Sequence, residues 1–115
     1  MIEVEKVWGK EVIIANEPEY CGKLLYVNKG ASGSLHYHPK KKETFHLLKG
    51  RINLEYKSDV SFCFRMPGLC PVPLTIPAGT PHRFTAVLDS IILEISTHHD
   101  DEDVVRIEES RAGII

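Results

Sequence analysis

The chain has 115 residues, 43% of them hydrophobic, which suits one domain with one core and leaves little room for a second. Its 14 basic and 16 acidic side chains give a net charge of −2, so no long-range field draws it to a nucleic-acid backbone or an anionic membrane, and a small molecule is the expected partner. Neither a signal-peptide pattern nor an apolar run of membrane-spanning length is present, which points to the cytoplasm.

From the N-terminus onward, short segments rich in β-branched, leucine and aromatic residues alternate with glycine, proline and charged turns. Three strands are predicted first, over Ile2–Val7, Glu11–Ala15 and Lys23–Asn28. Ser34–His38, Glu43–Leu48, Ile52–Tyr56 and Ser61–Arg65 follow. The stretch from Met66 to Pro81 carries five prolines and two glycines and is read as loop and turn around a short strand, Pro73–Ile76. The last predicted strands are His82–Leu88, Ile91–Ser96 and Val104–Ile107, with the polar run His98 to Asp103 as a solvated turn between the final two. An all-β chain of this rhythm is either a sandwich or a closed jelly roll, and spacing alone does not choose between them. Cys21, Cys63 and Cys70 are read as reduced thiols; a bridge between Cys63 and Cys70 is geometrically feasible, but a reducing cytoplasm argues against it.

Side-chain parity says which residues share a face. Ile52, Leu54 and Tyr56 fall on one side of their strand and Asn53 and Glu55 on the other. By the same count His36 pairs with His38, Glu43 with Phe45 and Leu47, and His82 with Phe84 and Ala86. Polar residues able to ligate a metal thus share faces with apolar ones, which fits a barrel interior better than a wet surface.

The chemistry is concentrated in one constellation. Two histidines one residue apart on a strand point the same way, and Glu43, just past the next turn, can reach back toward them. His82 enters a strand after the tight turn at Pro77 and Gly79 and can supply a fourth ligand from the facing side of a barrel. Imidazole nitrogens with one carboxylate suit manganese, iron, nickel, cobalt or zinc, and a set without thiolate argues against a structural zinc site.

The spacing Gly30, His36, His38, Glu43, Gly50 resembles the first motif of the cupin superfamily at every fixed position. Pro77, Gly79 and His82 resemble the second, although Pro71 stands where that motif has glycine and Ala86 where it often has asparagine. The resemblance spans residues 30 to 86. It implies a double-stranded β-helix, the jelly-roll barrel, with one divalent metal bound inside by His36, His38, Glu43 and His82. A looser similarity, over Trp8-Gly9, Pro81 to Ala86 and Glu94 to Arg106, is to small sugar-directed cupins of the mannose-6-phosphate isomerase and lyxose isomerase type. It implies an aldose–ketose isomerase acting on a sugar or sugar phosphate, or a carbohydrate-binding relative. The same ligands also suit an iron-dependent dioxygenase, and a non-catalytic carbohydrate-binding or regulatory cupin is a third reading, since one scaffold hosts many reactions.

Isomerisation needs a base to move a proton beside the carbonyl, and Glu94 is the residue proposed for it, with Tyr26 and Tyr37 behind it. A carboxylate between Leu93 and Ile95 would ordinarily lie on a solvent face. Lys40, Lys41 and Lys42 are read as a solvated loop, although cations at a barrel mouth could attract a phosphate. His46, His98 and His99 are read as exterior and left out of the site, and Arg83 as facing away from it. Phe45, Leu47 and Phe84 are expected to line the cavity as core. Trp8 could contact a substrate, but as part of an N-terminal strand it is expected to pack across a second subunit; a homodimer is expected because pairing removes exposed barrel edges.

Overall fold

In a computed structural model, residues 1–59, 62–66 and 73–113 are described, with the side chains of 57–59 and 62–66 left out; the Cys63 to Cys70 question lies outside these residues. Among the described residues eleven strands form: β1 (Ile2–Lys6), β2 (Gly9–Asn16), β3 (Cys21–Val27), β4 (Leu35–Tyr37), β5 (Glu43–Lys49), β6 (Ile52–Asp59), β7 (Phe62–Met66), β8 (Leu74–Ile76), β9 (His82–Ala86), β10 (Ser90–Ser96) and β11 (Val105–Glu108). Every predicted strand is present. The β6 strand runs three residues further than its alternation suggested, and β9 stops at Ala86, two residues short.

Two antiparallel sheets result. One has the order β1-β2-β3-β10-β5-β8 and the other β11-β4-β9-β6-β7. They pack into the jelly roll of the cupin fold, and sequence neighbours such as β3 and β4 part to different sheets. Among the described residues, no helix is long and apolar enough to cross a membrane.

The interior is built by strict alternation. On β3, Cys21, Lys23, Leu25 and Val27 are buried while the residues between them are only half-buried. On β10, Ser90, Ile92, Glu94 and Ser96 are buried, with Ile91 and Leu93 half-buried and Ile95 exposed between them. The ladder sets Glu94 opposite both Lys23 and Phe45, and Ile92 opposite Leu25 and Leu47, so inward side chains lie in layers across three strands. The lower layers, with Ile52, Phe84 and Ala86 from the second sheet, make the apolar core.

Trp8 belongs to that core. It sits in the β1–β2 turn, is 7% exposed, and meets Phe84 edge to face with ring centroids 5.2 Å apart. The expectation that it packs across a second subunit is therefore corrected: the indole fills its own barrel. Two motif glycines have a backbone reason for being glycine. Gly79 (φ +79°) turns the chain into β9 and donates its N–H to the His38 carbonyl, and Gly50 (φ +93°) closes the β5–β6 turn where a Cβ would strike Ser90.

Candidate metal centre

His36 on β4 and His82 on β9 are register partners, so their side chains project from the same face of the second sheet. His38 follows one residue beyond the end of β4. Glu43 opens β5 in the other sheet and reaches across. The sequence had placed His82 on the facing side; it is the carboxylate that faces the three histidines, while His82 stands beside His36. One ligand atom from each of the four residues lies within 4.8 Å of all the others.

Their outer contacts set the chemistry of the inner atoms. The Nδ1 atoms of His36, His38 and His82 lie 3.0, 2.6 and 2.9 Å from the carbonyl oxygens of Ser34, Asp103 and Thr80. A carbonyl only accepts, so each Nδ1 carries the proton and each Nε2 presents a lone pair. The His36 and His38 Nε2 atoms nevertheless sit 3.2 Å apart, and both His38 Nε2 and His82 Nε2 lie 3.2 Å from Glu43 Oε1. Among the described residues, His82 Nε2 is fully buried without a hydrogen-bond partner. Lone pairs and a carboxylate crowded around one point repel unless a cation lies between them, so the donor set fits a divalent metal.

Proton affinities agree. Burial, then the neighbouring His82 and His38, push His36 down to about 3. Burial also lowers His38, outweighing the pull of Glu43. Burial alone would raise Glu43, but His82, Lys41 and His38 hold it at about 2, an anion under all ordinary conditions. His82 is pushed down by burial and up by Glu43, and the carboxylate prevails. The carboxylate's pull on a proton at His82 Nε2 is the pull it would exert on a metal ion in the same place.

A second group of charges adjoins the ligands, and the sequence reading placed most of it elsewhere. Lys41 is not in a solvated loop: it is 3% exposed, with Nζ 3.3 Å from Glu94 Oε2, 3.7 Å from Glu43 Oε2 and 3.0 Å from His99 Nδ1. Lys40 and Lys42 are exposed as expected. Glu94 is 5% exposed and faces the cavity, so the solvent-face expectation for it is corrected. Burial and the charge of Glu43 raise its pKa against Lys41 and Lys23. His99 lines the same cavity and bridges Lys41 to Asp101, the latter at 2.8 Å, whereas it was read as exterior.

The turn His98 to Asp103 is only partly solvated. Asp103 is buried, and its carboxylate accepts hydrogen bonds from the Lys40 and Lys41 backbone N–H groups, both at 2.9 Å. His46 and His98 lie away from the ligand cluster, and Arg83 pairs with Glu55 and Glu108 outside the cavity. Tyr26 and Tyr37 do not line the cavity, while Phe45 and Phe84 do; Leu47 packs against the core below. The cavity measures about 170 Å³.

Solved structures share this architecture. The chain superposes on KdgF from Halomonas sp. with a TM-score of 0.69 and 18% identity, covering 81% of each chain. On CapF, the capsular polysaccharide assembling protein of Staphylococcus aureus, the TM-score is 0.74 at 17% identity, over 93% of this chain and 34% of that one. On a variant of oxalate decarboxylase from Bacillus subtilis it is 0.79 at 15% identity, over 92% and 30%. The chain thus spans about a third of those two longer proteins. No family model and no curated protein matches the sequence. Fold and site together define a cupin-fold protein with a three-histidine, one-glutamate set able to hold a divalent metal.

Proposed function

We propose that the protein is a metal-dependent isomerase of the sugar-directed cupin type, interconverting the aldose and ketose forms of a sugar or sugar phosphate with Glu94 as the base. The observation that carries this reading is a buried carboxylate of raised pKa in the same cavity as the four ligands. A carboxylate raised in that way is a stronger base than a solvated one and can return the proton it takes. A divalent ion held by His36, His38, Glu43 and His82 would polarise the substrate carbonyl and fix its orientation.

The chain supplies the rest. Glu94 takes the proton from the carbon beside the carbonyl and delivers it to the neighbouring carbon. Lys41 holds the Glu94 carboxylate through its 3.3 Å contact and is a positioning residue. Trp8, Phe45 and Phe84 wall the cavity, exclude water and offer aromatic faces to a sugar ring. Single-domain organisation, a cytoplasmic setting and a homodimer belong to the same reading. The homodimer draws on β1, an edge strand with Ile2 63% exposed, and solution scattering at high concentration would give twice the monomer mass.

The test is a panel of aldoses and their phosphates in heavy water, read as deuterium entry at C2. Exchange is expected in the wild type and at least about a hundredfold less in Glu94→Gln at unchanged metal content. Exchange that survives Glu94→Gln removes Glu94 from the role. A wild type inert toward the whole panel, but binding its sugars, would be a non-catalytic carbohydrate-binding cupin, and iron content with oxygen uptake would make it a dioxygenase.

A further inference from the structure

The cavity holds more positive charge than the ligand set uses. Lys6 from β1, Lys23 from β3, Lys41 and Arg106 from β11 all line it. Against them stand Glu11, Glu43, Glu94 and Asp101. Protein charges therefore balance, and a divalent ion at the histidines leaves the cavity with an excess of two positive charges in a chain whose net charge is −2. Electrostatics of that kind favours an anion inside while the rest of the surface does not.

Three of the cations are available to a ligand. Lys23 is 2% exposed and its Nζ has one acidic contact, Glu11 Oε1 at 3.3 Å. An ammonium has three N–H donors, so a buried lysine with, among the described residues, one carboxylate within ion-pair distance keeps donors for the cavity, although Glu94 lies opposite it on β10. Lys6 and Arg106 are exposed and, among the described residues, close no ion pair. They stand on edge strands of different sheets, and so approach the mouth from two sides. Lys41, by contrast, is taken up by Glu94, Glu43 and His99.

Position supplies the remaining argument. Lys23 is on β3, separated from the Glu43-bearing β5 by β10 alone. Two strand spacings amount to about 10 Å of backbone. Side chains from both ends project into the space between, with Glu94 on the intervening strand. A small molecule with two unlike ends fits that layout: one end for the metal ligands, the other for an ammonium.

We propose that the cavity contains an anion subsite, formed by Lys23 with Lys6 and Arg106 at the mouth, that selects ligands bearing a carboxylate or phosphate group remote from the metal-binding end. This deepens the isomerase reading by naming an acidic sugar as its substrate class, and so rests on it for the sugar but not for the charge. Charge-assisted hydrogen bonds from these groups would select the acid over its neutral analogue.

The experiment is calorimetric titration of the zinc-loaded protein with glucose, glucuronate and glucose 6-phosphate. Glucuronate or glucose 6-phosphate is expected to bind at least about tenfold more tightly than glucose, and whichever binds more tightly identifies carboxylate or phosphate as the preferred group. Lys23→Met should erase most of that margin at unchanged zinc content. The exposed double variant Lys6→Ser/Arg106→Ser should erase part of it, and it serves if Lys23→Met fails to fold. Equal or absent binding of all three probes, or a margin that persists in the variants, overturns the subsite. Binding needs no turnover: tight glucuronate binding without C2 exchange would sink the isomerase reading and leave the subsite standing.

Discussion

The inner face of the barrel divides into two halves that the same strands build. Along β3 the inward residues pass from Leu25 to Lys23, along β5 from Phe45 to Glu43, along β9 from Phe84 to His82, and along β10 from Ile92 to Glu94. On each strand one step of two residues crosses from an apolar plug to a charged cavity. Backbone pairing is continuous across the boundary, so the division lies in side chains alone. The plug supplies hydrophobic stabilisation, about 1.5–3 kcal/mol for each large side chain removed from water. The cavity works against stability, since buried charges persist only when mutually paired.

Substitutions can break that division at either end. The largest effect is expected from His82→Ala, which removes a ligand: stoichiometric metal by elemental analysis should fall to background while circular dichroism keeps its strand signal. Lys41→Met should come next, at about 3–5 kcal/mol of unfolding free energy, because it leaves the Glu94 and Glu43 carboxylates buried without their shared counter-charge. Adding Glu94→Gln to it should return part of that loss, and strict additivity in denaturant melts would show the pair uncoupled. In the plug, Ile92→Ala should cost about 3 kcal/mol yet leave metal content at one ion per chain. Loss of metal in that variant would mean that plug and cavity are one cooperative unit. The smallest effect belongs to Ser34→Ala, which removes a hydroxyl 2.9 Å from His36 Nδ1 but keeps the Ser34 carbonyl; metal affinity should weaken by about tenfold at most.

Local pattern carried much of this into the sequence. The rhythm of short apolar segments and turn residues located the eleven strands described, and the motif spacing picked out four residues whose ligand atoms converge. What escaped was set by contacts far apart in the chain. Lys41 sits in a run of three lysines that looks wholly solvated, and its burial depends on Asp103, about sixty residues later, holding its backbone. Glu94 was obscured because β10 is apolar on both faces: Ile92 points in while Leu93 and Ile95 point out, so parity had no polar face to anchor it. His99 was hidden among acidic neighbours that read as solvent-facing. Trp8 was misplaced for a different reason, an inference drawn from subunit packing where its own barrel offered Phe84.

Asp103 gives the centre a dependence on distant chain. One residue accepts the His38 ring proton at its carbonyl and two backbone amides at its carboxylate. The aim of a ligand and the inward course of the lysine loop are thereby clamped by the same hinge pin. Strands β1 to β10 without the segment after Thr97 would still bear all four ligands, yet His38 Nδ1 would lose its carbonyl acceptor and the backbone of Lys40 and Lys41 the carboxylate that draws that loop inward.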